Sequence, residues 1–186
     1  VAICSVVPSL DYTFNSACLK YLKTAPFILR PGVKTGLKLS VKHPLEVGSD
    51  RIATAIAAID QHPNKNIIVI DYGTATTHCA ISKNKEFLGG TIAPGIKISS
   101  EALMLNTAQL PSVEIVTPKE TLGKTTTTNI QSGIYYSQLG ASKIIVKNIT
   151  NEVFQGEKPI IIGTGGFAHL FKDENLFDSI AHDLVL

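Results

Sequence analysis

Long apolar runs are missing from this chain. Its longest uninterrupted run of branched aliphatic residues is Ile67–Ile70, against the ~20 residues that a membrane-spanning helix needs. A basic, apolar, small-residue leader is missing too, so no signal peptide is expected. Charge of one sign is scarce: seventeen Lys and Arg against fifteen Asp and Glu leave a formal net charge of +2. That is too little to argue for nucleic acid or an anionic membrane as a partner. Residues 1–65 carry eight basic side chains against four acidic ones, an excess more simply explained by a solvated lysine face than by collection of an anionic substrate. Cysteines are few. Cys4, Cys18 and Cys79 are scattered and include no CxxC pair, so they make neither a disulfide frame nor a zinc site and fit a reducing cytosol. The five histidines (His43, His62, His78, His169, His182) include no pair at metal-ligand spacing, and imidazole metal binding is not expected. Low-complexity segments and short repeats are absent as well.

What is present suffices for a packed domain. Hydrophobic residues make up 44% and charged residues 17%, which excludes a disordered chain. A length of 186 residues is one ordinary domain or two small ones, burying roughly 70% of the surface that the unfolded chain exposes. The chain opens on a strand-like segment without a methionine and is therefore expected to be a piece of something longer.

Residues 1–7 read as a buried strand closed by Pro8, and Ser9 is the expected cap of a helix over residues 10–23. In that helix Leu10, Phe14, Ala17, Cys18, Tyr21 and Leu22 recur at three- and four-residue steps. A short strand over Phe27–Leu29 follows, then an edge strand in which Leu37, Leu39 and Val41 alternate with polar residues. Ile52, Ala55, Ile56 and Ile59 predict a helix over Ser49–Gln61, stopped ahead of Pro63 because a pre-proline residue avoids helical conformation. Asn66–Tyr72 is a continuous apolar strand ending in one carboxylate. Thr76–Ser82 and Glu86–Ala93 are the next strands, joined by turns too short for anything but antiparallel pairing. Helices over Lys97–Asn106 and from Thr126 to Gly140 or beyond come next. A strand over Pro159–Ile162 and a glycine turn into a helix of Phe167–Phe171 complete the reading. A three-stranded meander followed by helices, a strand and a glycine turn matches half of a ribonuclease-H-like nucleotidase fold.

Three constellations carry chemistry. In Asp71-Tyr-Gly-Thr-Ala-Thr-Thr77 an aspartate ends a buried strand, Gly73 lets a backbone N–H approach an anion, and Thr74, Thr76 and Thr77 supply hydroxyls. A plain Asp-x-Gly turn explains the same residues equally well. In Gly48-Ser49-Asp50-Arg51 an acid and a guanidinium meet the free N–H groups of a helix start. Asp50 could there accept a hydroxyl proton, and Arg51 could hold a carboxylate or phosphate. An ordinary N-terminal turn capped by Ser49 or Asp50 is the simpler explanation of those residues alone. Gly163-Thr-Gly-Gly-Phe-Ala168 satisfies GxGxxA, but the 18 residues after Ala168 cannot hold the rest of a dinucleotide-binding unit. Gly123-Lys124-Thr125 resembles the end of a P-loop, whose first glycine would fall on Pro118, and that idea fails. Gly89-Gly90-Thr-Ile-Ala-Pro94-Gly95 reads as a backbone-shaping corner, Glu101, Glu114 and Glu120 as solvated surface, and Phe14, Tyr135 and Tyr136 as core or interface.

Taken together and in this order, these segments resemble the type III pantothenate kinases, a family of the acetate- and sugar-kinase, actin and heat-shock ATPase fold group. The resemblance runs nearly end to end: CSVVPSL at 4–10, PGVKTGL at 31–37, PLEVGSDR at 44–51, IDYGTATT at 70–77, GGTIAPGI at 89–96, LP at 110–111, GKTT at 123–126, QSG at 131–133 and TGGFA at 164–168. It implies an α/β, ribonuclease-H-like actin/sugar-kinase fold of two similar halves, the first lacking its N-terminal strands in this chain. Residues 1–65 would be the remainder of the first half and 66–186 the second.

The resemblance also implies roles. Asp50 would be the general base on the primary hydroxyl of pantothenate, with Gly48, Ser49 and Arg51 binding that substrate. Thr126 would reach the pantothenate site of a neighbouring subunit. Gly73, Thr74 and Thr76 would grip ATP phosphates, and Gly165, Gly166 and Ala168 would form the adenosine side. Asp71 would hold a monovalent cation, K⁺ or NH₄⁺, and Mg²⁺ would accompany ATP. Gly89, Gly90, Pro94 and Gly95 would belong to a homodimer interface. The product would be 4′-phosphopantothenate, the first committed intermediate of coenzyme A synthesis, made in the cytoplasm with neither nucleic acid nor membrane as partner. Two departures stand out: the chain contains no Asp-x-Gly-Asn-Thr phosphate loop, and Thr125 stands where the family commonly has Asn. The chain by itself is therefore expected to be inactive. A nucleotide-binding transcriptional accessory factor is the competing reading, which the intact Asp50-Arg51 pair disfavours; a sugar or acetate kinase is a third.

Overall fold

Four consecutive aliphatic residues set the layout. Ile67, Ile68, Val69 and Ile70 are all fully buried in strand β4 (Ile67–Tyr72), as in a strand covered on both faces. The computed structural model describes residues 1–186, the side chain of Pro8 excepted. Its fold is mixed α/β. Strand β5 (Ala75–Ser82) and strand β6 (Glu86–Pro94) continue from β4 as an antiparallel meander. Strand β7 (Ile160–Thr164) lies parallel to β4 on its other side, followed by β8 (Ser179–Ile180), which the sequence pattern did not reveal. Strand β3 (Lys38–Leu39) pairs parallel to β6, so the six-stranded order is β3-β6-β5-β4-β7-β8.

Helix α2 (Ser49–Gln61) covers one face, packing Ile52, Ala55 and Ala58 against Ile67, Val69, Cys79, Ile81 and Phe87. The other face takes helix α4 (Thr126–Phe154), whose Ile130, Ile134, Tyr135, Leu139 and Val146 meet Ile68, Ile70, Tyr72 and Ala80. Helix α3 (Ile96–Asn106) lies beside α4. The 29-residue α4 runs through Gly140 and ends where Gln155 and Gly156 adopt left-handed backbone. Thr125 is its N-cap: its hydroxyl accepts from Thr128 N–H, and the Thr128 hydroxyl accepts from Thr125 N–H, a reciprocal capping box.

The first residues depart from expectation. Strand β1 covers only Ala2–Cys4 and pairs parallel with β2 (Phe27–Leu29) in a separate two-stranded sheet. Helix α1 (Pro8–Ala17) starts at the proline with Val7 as N-cap, and Ser9 does not cap it. A proline has no N–H to leave orphaned at the first helical position, so the helix begins one residue before the expected cap. Residues Cys18–Leu22 continue as a π-helical turn closed by left-handed Lys23. The expected apolar face is not a core face: Cys18 is buried, but Leu10, Phe14, Tyr21 and Leu22 are exposed. The two-stranded sheet of this region has strands of three residues each, and these side chains are left uncovered. The segment Phe167–Phe171 is a 3₁₀ turn over Ala168–Phe171 rather than an α-helix. Among the described residues no helix is long and apolar enough to cross a membrane.

Candidate active site

Pleating decides which side chains of the β4–β5 hairpin meet. Ile67, Val69 and Asp71 face α2, whereas Ile68, Ile70 and Tyr72 face α4. On β5 the same alternation sends Thr77 and Cys79 to the α2 side and Thr76 and His78 to the α4 side, because Thr77 pairs with Asp71 and Thr76 with Tyr72. Asp71 is half-buried at the strand end, between Thr77 and Thr164 on its two neighbours. Its carboxyl is pushed above the usual range, first by burial and second by the negative charge of Asp50. Two carboxylates that repel each other in a half-buried setting form a site that a cation would relieve.

Glycines frame this aspartate. A Cβ on Gly73 would lie 3.3 Å from Asp71 Oδ1, and one on Gly165 would collide with the same oxygen and with the Tyr72 backbone. Gly165 has φ +86°, open to glycine at no steric cost. Its turn is tied down by Phe167 N–H, which donates to Tyr72 C=O at 3.2 Å. Gly166 is exposed with free space around it. The hairpin tip is held in turn by Gly95 N–H, which donates to Thr74 C=O at 3.2 Å. Thr74 is exposed at that tip.

Helix α2 brings the second constellation. Gly48 is its N-cap without any side-chain cap bond, so neither Ser49 nor Asp50 serves as cap. Ser49 Oγ donates to Ser5 C=O at 2.7 Å, fastening the helix start to the segment after β1. Asp50 Oδ1 accepts from Arg51 N–H at 2.8 Å. The same oxygen lies 2.5 Å from where a Gly48 Cβ would stand. Arg51 lies across the sheet face: its Nε donates to Cys79 Sγ at 3.2 Å, and its guanidinium carbon is 5.2 Å from the centre of the Phe87 ring. Its Nη2 is buried without a partner.

Asp50, Arg51, Asp71, Gly73 and Gly165 are thus brought together on the α2 face. Thr76 is not: it is buried on the α4 side, where its hydroxyl donates to Gln138 Oε1 at 2.8 Å and Gln138 Nε2 donates to Pro94 C=O at 3.0 Å. Thr126 is exposed at the first position of α4, lining a cavity of about 650 Å³ with Ser99, Leu103, Leu110 and Ile130 across the sheet from Asp50. The three cysteines are free. No group of three or more His, Cys, Asp or Glu suited to a metal ion occurs among the described residues.

Sequence reasoning missed a buried polar chain under this site. Tyr72 O–H donates to Ser142 Oγ at 2.7 Å, Ser142 Oγ lies 2.9 Å from His78 Nε2, and His78 Nδ1 lies 2.9 Å from Thr91 Oγ1. Burial pushes the His78 pKa down to about 4 and that of Tyr72 up to about 12. Ser142 lies far along the chain from both, and nothing in the local pattern points to it.

A family model described as type III pantothenate kinase matches residues 1–148. A type III pantothenate kinase of Legionella pneumophila (strain Corby) is 55% identical over 186 residues, all of this chain and 73% of that protein. A type III pantothenate kinase 1 of Francisella tularensis subsp. holarctica (strain OSU18) is 54% identical over 186 residues, with the same 100% and 73% coverage. Among solved structures, a Campylobacter jejuni protein described as a member of the Baf family of transcriptional activators superposes with a TM-score of 0.61. It is 19% identical, with 99% of this chain and 76% of that one covered, a likeness that speaks for the fold alone.

Proposed function

Because the chain belongs to the type III pantothenate kinase family, we propose that it phosphorylates the primary hydroxyl of pantothenate with ATP, giving 4′-phosphopantothenate. The observation that carries this reading is the meeting of Asp50 and Arg51 from the start of α2 with Asp71 and the Gly73 and Gly165 turns. Asp50 is the general base: it takes the hydroxyl proton as the oxygen attacks the γ-phosphorus in line, while the bond from that phosphorus to the bridging oxygen breaks and ADP leaves with its electron pair. Arg51, which forms no ion pair among the described residues, receives the carboxylate of pantothenate. Gly48 and Ser49 shape and fasten the helix start that presents both. Phosphoryl transfer passes through a loose transition state, so positioning and charge neutralisation carry the catalysis. The hydroxyl of Thr74, exposed at the hairpin tip, receives the phosphates beside Gly73, whose own N–H donates to Ala75 C=O at 3.2 Å and shapes the turn. The open backbone at Gly165 and Gly166 receives the nucleoside. Mg²⁺ would come with ATP and would supply neutralisation of the phosphate charge. Asp71 would hold a monovalent cation, a role supported by its repulsion from Asp50.

Thr76 acts in this reading through the strand, since its hydroxyl is engaged by Gln138. Thr126 serves the pantothenate site of a second copy, a homodimer supported by exposed Ile92, Ile98 and Leu105 near the Gly90–Gly95 corner and α3. The division at 65/66 into two ribonuclease-H-like units is supported for residues 66–186 by the strand order β6-β5-β4-β7-β8, with β3 and α2 joining from the first unit. The cytoplasm is the compartment that the three free cysteines favour. A transcriptional accessory role gains no support from any residue of the site.

The test is phosphopantothenate formation, followed by mass, in the full-length protein with Mg·ATP, pantothenate and K⁺. Asp50→Asn is expected to lower kcat by ~100-fold or more, the usual scale for a general base. Equal rates would remove Asp50 from that role while leaving the kinase, and a folded wild-type protein that binds ATP but makes no product would favour the accessory factor.

A further inference from the structure

Arg51 has an unusual set of neighbours for a half-buried guanidinium. No carboxylate pairs with it: Asp50 spends its Oδ1 on the Arg51 backbone N–H, and no ion pair to Arg51 is formed among the described residues. Its fixed contacts are a sulfur, an aromatic face and a glycine. Nε donates to Cys79 Sγ at 3.2 Å, the Phe87 ring lies 5.2 Å beneath the guanidinium carbon, and a Cβ on Gly90 would stand 3.0 Å from Nη2. Cys79 and Phe87 are themselves immobilised, 4% and 1% exposed, on adjacent strands β5 and β6.

We propose that Cys79 is a positioning residue for Arg51, orienting its guanidinium through Nε while leaving its charge uncompensated for the carboxylate of the substrate. This rests on the reading of Arg51 as the pantothenate-binding group. Physically, an arginine must be both oriented and unneutralised to bind an anion strongly. A carboxylate anchor would orient it at the expense of its charge. A thiol orients it without that loss, because a thiol accepts a hydrogen bond while uncharged. Burial pushes the Cys79 thiol up, which keeps it in that neutral form, although the Arg51 charge acts in the opposite direction. The Phe87 face adds attraction that also leaves the charge in place, and the missing side chain at Gly90 lets the planar group lie flat.

The test compares wild type, Cys79→Ala and Cys79→Ser in the full-length protein, with and without Arg51→Lys. Cys79→Ala is expected to raise the KM for pantothenate about tenfold, the scale of one hydrogen bond to a charged group. Its kcat and its KM for ATP should stay within about twofold of wild type, and Cys79→Ser, which keeps an acceptor, should recover most of the loss. In the Arg51→Lys background the Cys79→Ala change should have no further effect, since the anchor acts only through the guanidinium. Equal rises in both KM values, additive losses in the double variant, or an unchanged KM for pantothenate would each overturn the proposal.

A ligand-free measurement separates this from the kinase reading: the Arg51 Nε–H resonance should exchange slowly with water in wild type and fast in Cys79→Ala. Equal exchange in both overturns the anchor whatever the enzyme does. Slow exchange lost in Cys79→Ala, in a protein that forms no phosphopantothenate, keeps the anchor and overturns only the assigned substrate.

Discussion

At the scale of single residues, the difference between neighbours in one motif is a matter of which way the strand turns them. Thr76 and Thr77 are adjacent, yet one hydroxyl is buried against Gln138 and the other shares a face with Asp71. His78 shows how far burial governs such a group. With its folded pKa pushed down to about 4 from the ordinary 6.5, it stays neutral where the unfolded chain takes up a proton. Stability is therefore complete above pH 6.5 and falls as the pH drops towards 4, by about 3 kcal/mol across the window. Urea titrations of wild type and His78→Gln at pH 7 and pH 4.5 should show the variant losing less over that interval. An equal fall in both would assign the acid sensitivity elsewhere.

At the scale of elements, two contacts tie helices and turns to the β4–β5 hairpin. Ser142 on α4 serves both Tyr72 and His78, and the set is satisfied when Tyr72 donates to Ser142, Ser142 to His78 Nε2, and His78 Nδ1–H to Thr91. Ser142→Ala strands the Tyr72 hydroxyl and His78 Nε2 inside the protein and is expected to cost about 1–3 kcal/mol, read from the denaturant midpoint. A loss below a few tenths of a kcal/mol would mean that water replaces the hydroxyl. The glycine turn after β7 is tighter. Gly165→Ala places a methyl group against Asp71 Oδ1 and Tyr72 at a φ of +86°, so the turn must move away from the hairpin. The expected outcome is loss of ATP binding by calorimetry with the six-stranded sheet still folded by circular dichroism. Unchanged affinity would show that the nucleotide does not use this turn.

At the scale of the whole molecule, the two faces of the six-stranded sheet have separate tasks. The α2 face gathers the charged groups, and the α4 face carries Thr126 with exposed apolar residues of α3, among them Leu105 at 75% exposure. The proposed homodimer would let one copy's Thr126 complete the other's site. Leu105→Glu should then turn a dimer into a monomer in sedimentation velocity and raise the KM for pantothenate while ATP binding persists. A monomeric wild-type protein with full activity would remove the cross-subunit role of Thr126.

Much of this was legible in the chain. The meander of β4, β5 and β6, the bounds of α2 and the placing of Asp71 at a strand end before the Gly73 turn follow from local periodicity, short turns and pre-proline restriction, all of which act within a few residues. The approach of Gly165 to Asp71, by contrast, comes only from the pairing of β4 with β7. The order of the Asp50-Arg51 and Asp71–Thr77 motifs sufficed to point to the family. Tertiary packing alone decided the rest. The exposure of Leu10, Phe14 and Tyr21 depends on what lies opposite α1, which its own period cannot tell. The start of α1 at Pro8 turned on a backbone N–H rather than on the serine beside it. The use of Cys79 and Phe87 beneath Arg51, and of Ser142 beneath Tyr72 and His78, joins residues tens of positions apart whose types are ordinary core choices. Side-chain chemistry of that kind is set by which surfaces the sheet and its two helix layers press together, and no single segment carries that information.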